Sequence, residues 1–225
     1  MDIQSLPRMI DLSAVRTQST KEERELVVRL SRDYKFVCAF AMPAFTPWLL
    51  RELRDCPDTA VGAAVGFPSG EELTSTKVQI ASLLRDMGCR EFDMVINVSA
   101  LKDRDYDLVR RDISAVREAV PGYILKVILE VCYLTDDEIR RGAEIAAACG
   151  ADFVKTGTGW GTSPTTVEHI RLLKSTVGDT CRIKAAGGVR TLSDIEAMVD
   201  AGCTRFGIGV NSTINILKEA GIYRE

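Results

Sequence analysis

Two lysines, Lys155 and Lys184, stand at the ends of short apolar segments that both break into glycines. The first segment reads Phe-Val-Lys-Thr-Gly-Thr-Gly, and the second reads Ile-Lys-Ala-Ala-Gly-Gly. One helical segment lies between them, so the pattern predicts a parallel strand–helix–strand unit whose strands are neighbours, roughly 5 Å apart. Alternation along a strand places both lysines on one face and leaves Val154 and Ile183 to pack under a helix. The two ammonium groups are therefore expected in one pocket.

Two cations in one dry pocket are costly, because burial and like charge both lower the pKa of a lysine. A lysine that has lost its proton is a nucleophile and can form a Schiff base with a carbonyl group. The alternative is that both side chains reach along the surface to water, as most lysines do. Two lysines on adjacent predicted strands, Lys155 and Lys184, each followed by glycines, favour the shared pocket.

Two further charged residues lie inside predicted strands. Asp93 lies within the fourth, among apolar neighbours, and Lys126 lies within the fifth. A buried carboxylate needs a partner, and Asp93 could balance the lysine charges and take part in proton transfer. The alternative for Asp93 is a structural ion pair with Lys184, and the two roles can coexist. Lys126 either faces the substrate or supplies a charge behind the site.

Eight apolar strand segments, each followed by a helical one, span the chain without a long linker. The predicted strands cover about residues 9–13, 36–42, 60–67, 91–97 and 124–131, the two lysine segments, and 205–209. The predicted helices cover about 20–34, from 46 onward, 74–87, 106–120, 135–150, 164–177, 192–201 and 212–220. Continuously apolar strands are typical of parallel sheets covered by helices. The pattern predicts one domain over residues 1–225, a single (β/α)8 TIM barrel. An open doubly wound sheet is the alternative, but it does not explain why polar residues gather at the carboxyl ends of so many strands.

Glycine-rich loops follow the seventh and eighth predicted strands. They carry Gly187, Gly188 and Arg190 in one loop and Gly207 and Gly209 in the other. Barrels commonly build phosphate sites from these two loops. Glycines let backbone amides approach an anion, and an arginine adds a charged fork. The loops therefore predict a phosphate site beside the lysines.

Composition excludes several classes of protein. The net charge is -3, with 46% hydrophobic and 27% charged residues. The chain therefore lacks the excess of basic residues that is typical of proteins that bind nucleic acid. No apolar run approaches the roughly 20 residues that span a bilayer, and the first residues lack a signal-peptide pattern; a cytoplasmic location is expected. The seven cysteines have no Cys-x-x-Cys spacing and are read as reduced, buried thiols. The single histidine, His169, is expected at the surface and argues against a histidine-based zinc site or a Ser-His-Asp hydrolase.

With these residues assembled, the chain resembles the deoxyribose-phosphate aldolase family of class I, Schiff-base-forming aldolases. The resemblance rests on residues 66–70, 92–97, 126–135, 153–159 and 183–191, which keep the family's order and spacing. It implies reversible cleavage of 2-deoxy-D-ribose 5-phosphate to acetaldehyde and D-glyceraldehyde 3-phosphate. It implies no metal and no organic cofactor, because the imine itself accepts the electrons. The expected partner is a small phosphorylated sugar or aldehyde, and a homodimer is the expected assembly.

The resemblance also implies residue roles. Lys155 would form the Schiff base, Lys184 would keep it reactive, and Asp93 would relay protons through water. The candidates for substrate binding are Asp11, Ser13, Lys126, Thr158, Gly159, Gly187, Gly188, Arg190, Gly207 and Gly209. Of these, Asp11 and Ser13 match an Asp-x-Thr of the family, with serine in place of threonine.

Several positions depart from the family pattern. Gly157 replaces a serine in the first lysine motif, and Trp160 stands where phenylalanine or lysine is common. Gly209 and Val210 occupy places that usually hold two serines, so two hydroxyls expected near the phosphate are missing. Some members end in a tyrosine that assists proton transfer, a role open to Tyr223. The alternatives are therefore an aldolase acting on another aldehyde and a non-catalytic sugar-phosphate sensor, whereas a lysine-free isomerase leaves the lysine pair unexplained.

Overall fold

The computed structural model of the protein describes residues 2–224 and contains a closed barrel of eight parallel strands. The strands are β1 (Ile10–Ala14), β2 (Cys38–Ala41), β3 (Ala60–Val65), β4 (Glu91–Val95), β5 (Ile124–Ile128), β6 (Phe153–Lys155), β7 (Arg182–Ala186) and β8 (Arg205–Gly209). Each strand pairs with the next, and β1 also pairs with β8. This closure confirms the (β/α)8 barrel and rules out the open doubly wound sheet. That one domain covers all of residues 1–225 stays a prediction.

Helices follow the strands and cover the barrel from outside. They are α1 (Lys21–Tyr34), α2 (Thr46–Glu52), α3 (Thr74–Met87), α4 (Val98–Lys102), α5 (Tyr106–Ala119), α6 (Asp136–Ala148), α7 (Val167–Val177), α8 (Leu192–Asp200) and α9 (Val210–Glu219). Three 3-10 helices, Ile3–Met9, Pro43–Phe45 and Val131–Tyr133, were not predicted, and neither was α4. Within residues 2–224, no helix is both long enough and apolar enough to cross a membrane.

The helix starts follow the side chains that can cap them. At α6, the predicted capping box forms in full, since Thr135 accepts from the Glu138 amide while Glu138 accepts from the Thr135 amide. The predicted start of α2 at residue 46 matches the structure, but the prediction that Thr46, which precedes Pro47, caps this helix is wrong. Phe45 takes the cap position without a side-chain bond, and the Thr46 hydroxyl instead donates to the Met42 carbonyl at 3.4 Å. A threonine before proline therefore does not by itself fix the cap.

The start of α7 shows why periodicity alone misplaces a helix end. The apolar pattern predicts a start near Pro164, but the helix begins at Val167 because Thr166 caps it. The partner of Thr166 in this capping box is His169, whose Nδ1 accepts from the Thr166 amide at 3.1 Å. The single histidine is half-buried rather than fully at the surface, and it stabilises a helix end.

Strand parity divides the buried residues into two sets. Outward-facing residues such as Val154 and Ile183 join the apolar layer between barrel and helices, as predicted. Inward-facing residues are often charged, and Lys126 and Lys184 are among the largest fully buried side chains. Buried charges must be paired. The interior of this barrel is therefore held together partly by ion pairs.

All seven cysteines lie in the described part of the chain and are free thiols. Burial raises the pKa of the Cys89 and Cys203 thiols to about 12 and that of Cys181 to about 11. Burial also raises the pKa of Cys38 well above its usual value. Thiols of this kind form little thiolate and react slowly. The prediction of buried cysteines is confirmed for these four residues, but Cys56, Cys132 and Cys149 are only half-buried.

One glycine makes room for an aromatic ring inside the barrel. Gly62 of β3 pairs with Phe40 of β2, and a Cβ on Gly62 would lie 2.1 Å from the Phe40 Cζ. We expect Gly62→Ala to lower the free energy of unfolding by about 1–3 kcal/mol, the usual cost of overpacking. Urea unfolding measures the loss, and the double variant Gly62→Ala/Phe40→Leu should recover part of it. Equal stability of Gly62→Ala and the parent would contradict the packing described.

Candidate active site

The two lysines lie side by side, Lys155 at the carboxyl end of β6 and Lys184 in the middle of β7. Lys155 and Lys184 are register partners on these adjacent strands. Their exposed fractions are only 7% and 1%, so neither side chain extends along the surface. Both line one small cavity of about 40 Å³ inside the barrel mouth. The alternation of residues along the two strands is what brings them together.

Asp93 joins the two lysines. Its Oδ2 accepts from the Lys155 Nζ at 2.8 Å and from the Lys184 Nζ at 2.5 Å. Its Oδ1 lies 3.1 Å from the Lys126 Nζ. Burial alone would raise the pKa of Asp93, but the three lysines lower that pKa well below its usual value. The carboxylate is therefore ionised at all working pH values and can hold an ammonium group on either side.

A layer of charged side chains lies beneath Asp93 in the interior of the barrel. Lys126 is fully buried and contacts Glu91, Asp93 and Asp11, the last at 3.0 Å. Arg205 of β8 donates to Asp11 at 2.5 Å and to Glu91 at 2.6 Å. Burial would lower the pKa of Lys126, but these carboxylates raise it well above its usual value. Lys126 does not line the cavity and lies behind Asp93, and a contact between Lys126 and substrate stays a prediction.

Counting charges in this cluster explains why one lysine can lose a proton. The cluster comprises Asp11, Glu91, Asp93, Lys126, Lys155, Lys184 and Arg205, which is four cations against three carboxylates. A net buried positive charge is unfavourable. Burial accordingly lowers the pKa of Lys184 to about 8, with Lys126 and Lys155 adding to the effect and Asp11 and Asp93 opposing it. Loss of one proton leaves the cluster neutral.

The titration of Lys184 predicts a stability change with pH. Its pKa falls from 10.5 to about 8 on folding, so between these values the folded state binds fewer protons than the unfolded state. The free energy of unfolding should therefore rise with pH across this window. The contribution is complete above pH 10.5 and lost as pH falls through 8, a span of roughly 3 kcal/mol.

Urea unfolding of the parent and of Lys184→Met between pH 7 and 10 checks this expectation. The difference between the two proteins is the informative quantity, because other groups titrate in both. The parent should gain stability relative to the variant as pH rises. Parallel pH profiles would show that Lys184 does not titrate in this range.

The lysine cavity has a polar and an aromatic side. Ser13, Thr158 and Gly207 line it together with Phe40 and Phe67. The Phe40 ring centroid lies 5.0 Å from the Lys126 Nζ and 4.9 Å from the Lys184 Nζ, distances at which a ring face attracts a cation. The cavity admits only a small group beside Lys155, with a ring on the far wall.

Glu130 fixes the loop that follows Lys155. It follows β5 with a φ of 57° and accepts from the Thr158 amide at 3.1 Å and from the Thr158 hydroxyl. A Cβ on Gly157 would lie 2.6 Å from the Glu130 Oε1. A side chain at residue 157 would therefore displace this carboxylate from the position described. The sequence did not predict this role for Glu130, because no local residue pattern indicates that a glutamate takes a left-handed backbone conformation.

A larger cavity of about 810 Å³ opens at the mouth of the barrel. Among the predicted binding residues, Ser13, Thr158, Gly159, Gly187, Gly188, Arg190, Gly207 and Gly209 line it. Ser13, Thr158 and Gly207 also line the lysine cavity, so the two spaces are continuous. Asp11 lines only the lysine cavity. The glycine loops and the lysines therefore lie along one path from solvent into the barrel.

Tyr223 lies away from this path. Its ring packs against the apolar layer, with the Lys218 Nζ 5.2 Å from the ring centroid. It lines neither of the two cavities. The described conformation thus offers Tyr223 no part in proton transfer.

Comparison with known proteins adds family membership to this geometry. The sequence pattern of a family described as DeoC/LacD family aldolase matches residues 40–219. The chain belongs to this family. This aldolase is a carbon–carbon lyase, and the match covers β3 to β8 with the lysine pair, Asp93 and both glycine loops.

The aldolase is similar to known proteins over nearly its whole length. It is 42% identical over 209 residues to a deoxyribose-phosphate aldolase from Exiguobacterium sp., covering 93% of this chain and 95% of that one. It is 43% identical over 214 residues to one from Sinorhizobium medicae, covering 95% and 86%. The tetrameric deoxyribose phosphate aldolase from Aeropyrum pernix superimposes with a TM-score of 0.86 at 26% identity, covering 96% and 91%.

Proposed function

We propose that this aldolase cleaves 2-deoxy-D-ribose 5-phosphate reversibly to acetaldehyde and D-glyceraldehyde 3-phosphate through a Schiff base on Lys155. The observation that carries the proposal is Lys155 itself, a lysine on the wall of a small cavity with its Nζ 2.8 Å from Asp93 and Lys184 beside it. A lysine held in this way meets the requirement for imine formation with an aldehyde. The names of the similar proteins support the substrate.

The chemistry starts with attack of the Lys155 Nζ on the C1 aldehyde of the open-chain sugar, and the proton that Nζ gives up can pass to Lys184. The resulting carbinolamine loses water to give an iminium ion. The C3 hydroxyl then gives up its proton and the C2–C3 bond breaks, releasing D-glyceraldehyde 3-phosphate and leaving an enamine on Lys155. Protonation of C2 and hydrolysis release acetaldehyde and restore the amine. The cavity of about 40 Å³ suits the two-carbon fragment.

The neighbours of Lys155 suit the proton transfers. Lys184 lies within hydrogen-bond distance of Asp93 and has a pKa of about 8, so it can give or take a proton near neutral pH. Asp93, which stays ionised, would orient both ammonium groups and a water between them and the substrate. Lys126 holds Asp93 from behind. The cluster thus moves one proton while keeping its remaining charges fixed.

The glycine turns that line the mouth cavity are suited to binding the substrate's phosphate group. Gly187 and Gly188 have φ values of 89° and 90°, a conformation that glycine adopts without strain. A Cβ on Gly188 would also lie 2.3 Å from the Pro164 side chain. Amides from such turns bind anions.

Trapping of the imine tests the proposal. The protein is incubated with acetaldehyde, reduced with borohydride and digested, and peptides are read by mass spectrometry. We expect an ethyl group on Lys155 that disappears in Lys155→Ala. An unmodified Lys155 would contradict the mechanism, and retained sugar-phosphate binding without turnover would then favour a sensor.

A second candidate function is the same chemistry on a different aldehyde. The observation that favours it is the direct junction of β8 with α9, where Gly209 carries no side chain and the Val210 side chain is buried. Neither residue offers a hydroxyl to a phosphate. Comparing turnover of 2-deoxyribose 5-phosphate with that of 2-deoxyribose separates the two candidates. A homodimer and a cytoplasmic location stay predictions.

A further inference from the structure

Arg16 is a cation at the barrel mouth, and the proposed reaction mechanism gives it no role. It lies in the loop between β1 and α1 and lines the mouth cavity. It also lines a side pocket of about 120 Å³ next to the loop after β6. Within residues 2–224, Arg16 and Arg190 are the two basic residues on the walls of both spaces. Of these two arginines, only Arg190 lies on a loop that the sequence predicts to bind phosphate.

Trp160 ties the Arg16 loop to the loop after β6. The Trp160 Nε1 donates to the Val15 carbonyl at 2.9 Å, which fixes the backbone immediately before Arg16. The Arg16 guanidinium lies 5.9 Å from the Trp160 ring centroid, a cation–π distance. The Arg16 amide also donates to the Ser19 hydroxyl at 3.2 Å. The backbone at Arg16 is therefore fixed, and its exposed side chain lies beside the Trp160 ring.

The guanidinium is free to bind an anion. In the described part of the chain, no carboxylate lies within ion-pair distance of it and no acceptor takes a hydrogen bond from it. Glu130 lines the same side pocket, but its oxygens already accept from Thr158. Glu22 and Glu23 line the mouth cavity from the first turn of α1, and neither pairs with Arg16.

The guanidinium also lies close to the glycine loops. Its Nη2 is 3.7 Å from the place that a Cβ on Gly159 would take. That Cβ position is in turn 3.6 Å from the Gly187 Cα. Arg16 is thus next to Gly159, and Gly159 directly follows Thr158, which lines the lysine cavity. An anion on the glycine loops would lie within reach of the guanidinium.

We propose that Arg16, positioned by Trp160, binds the anionic end of the substrate and sets the preference for phosphorylated over unphosphorylated substrates. This inference rests on the proposed function. It supplies the charge-assisted contact that Gly209 and Val210 cannot make with side chains. It also gives Trp160 a role, since a smaller residue could neither hold the Val15 carbonyl nor face the guanidinium.

Kinetics on two substrates test the inference. For each variant, kcat/KM is measured with 2-deoxyribose 5-phosphate and with 2-deoxyribose, and their ratio is the readout. Arg16→Gln should lower this ratio about 10-fold or more, mainly through a higher KM for the phosphorylated sugar. Trp160→Leu should lower it less, because the arginine remains but is no longer held. The matched control is Arg171→Gln on α7, which pairs with Glu168 at the surface and should leave the ratio unchanged.

A direct binding measurement keeps the inference separate from the proposed function. Titration calorimetry with glycerol 3-phosphate should detect binding to the parent and at least about 10-fold weaker binding to Arg16→Gln. If the parent fails to cleave 2-deoxyribose 5-phosphate yet shows this difference, the proposed function fails and the inference stands. An unchanged ratio in Arg16→Gln, or equal binding by parent and variant, overturns the inference.

Discussion

Replacement of Lys155 by methionine is expected to lower kcat for cleavage by roughly 10⁵-fold, the scale seen when a covalent nucleophile is removed. Methionine keeps most of the volume and removes the amine, so Lys184 and Asp93 keep their places around an apolar side chain. Without the imine, the C2–C3 bond of the sugar has no electron acceptor. A coupled assay for released D-glyceraldehyde 3-phosphate measures the loss.

Lys184→Met is the matched variant for this experiment. It removes the second amine from the same cavity, and it should slow turnover while leaving Lys155 able to form an imine. Borohydride trapping with acetaldehyde should therefore modify Lys155 in Lys184→Met and modify nothing in Lys155→Met. Modification of Lys184 in the Lys155 variant would assign the two lysines the opposite roles. Circular dichroism of both variants checks that the fold is kept.

Asp93→Asn is expected to have the second large effect, and it acts on both stability and catalysis. The carboxylate faces Lys126, Lys155 and Lys184, and its loss raises the imbalance of the cluster from one to two positive charges. Breaking a buried pair in this way costs about 3–5 kcal/mol. Turnover should fall by about 10²–10⁴-fold, because proton transfer loses the group that orients it. Urea unfolding and steady-state kinetics measure the two effects.

A double variant distinguishes charge imbalance from lost packing. Lys126→Met removes a buried cation that does not line the cavity. Asp93→Asn/Lys126→Met should therefore be more stable than Asp93→Asn alone, and the coupling energy follows from the cycle. Additive losses would mean that the two residues do not interact across the 3.1 Å seen between them. Catalysis should stay low in the double variant, since the proton relay is still missing.

The sequence predicted the lysine pair well because the positions of the two lysines follow from local rules of strand geometry. Alternation along a strand and the pairing of consecutive parallel strands were enough to place Lys155 beside Lys184. The glycine breaks marked the carboxyl ends of those strands. The eight repeats predicted the barrel in the same way, one unit at a time, and α3 and β8 matched their predicted bounds.

The rest of the site depends on contacts that no local pattern contains. Arg205 and Glu91 each begin a strand, and nothing in the sequence indicated that their side chains meet beneath the lysines. Phe40 looked like an ordinary apolar strand residue until Gly62 was seen to make room for its ring. Lys126 was left between two roles, because the choice depends on how deep in the barrel its side chain lies. Such depth is set by closure of the whole barrel.

The pairing of β1 with β8 has a consequence for how the protein becomes active during synthesis. Asp11 is made long before its partners Lys184 and Arg205, which follow it by 173 and 194 residues. Until β8 leaves the ribosome, Asp11 has no Arg205 and the barrel has no closing strand. The nascent chain can therefore hold most of its helices and still lack a complete charge cluster. Activity should arise in one step, once β8 has joined the barrel, rather than grow as the chain lengthens.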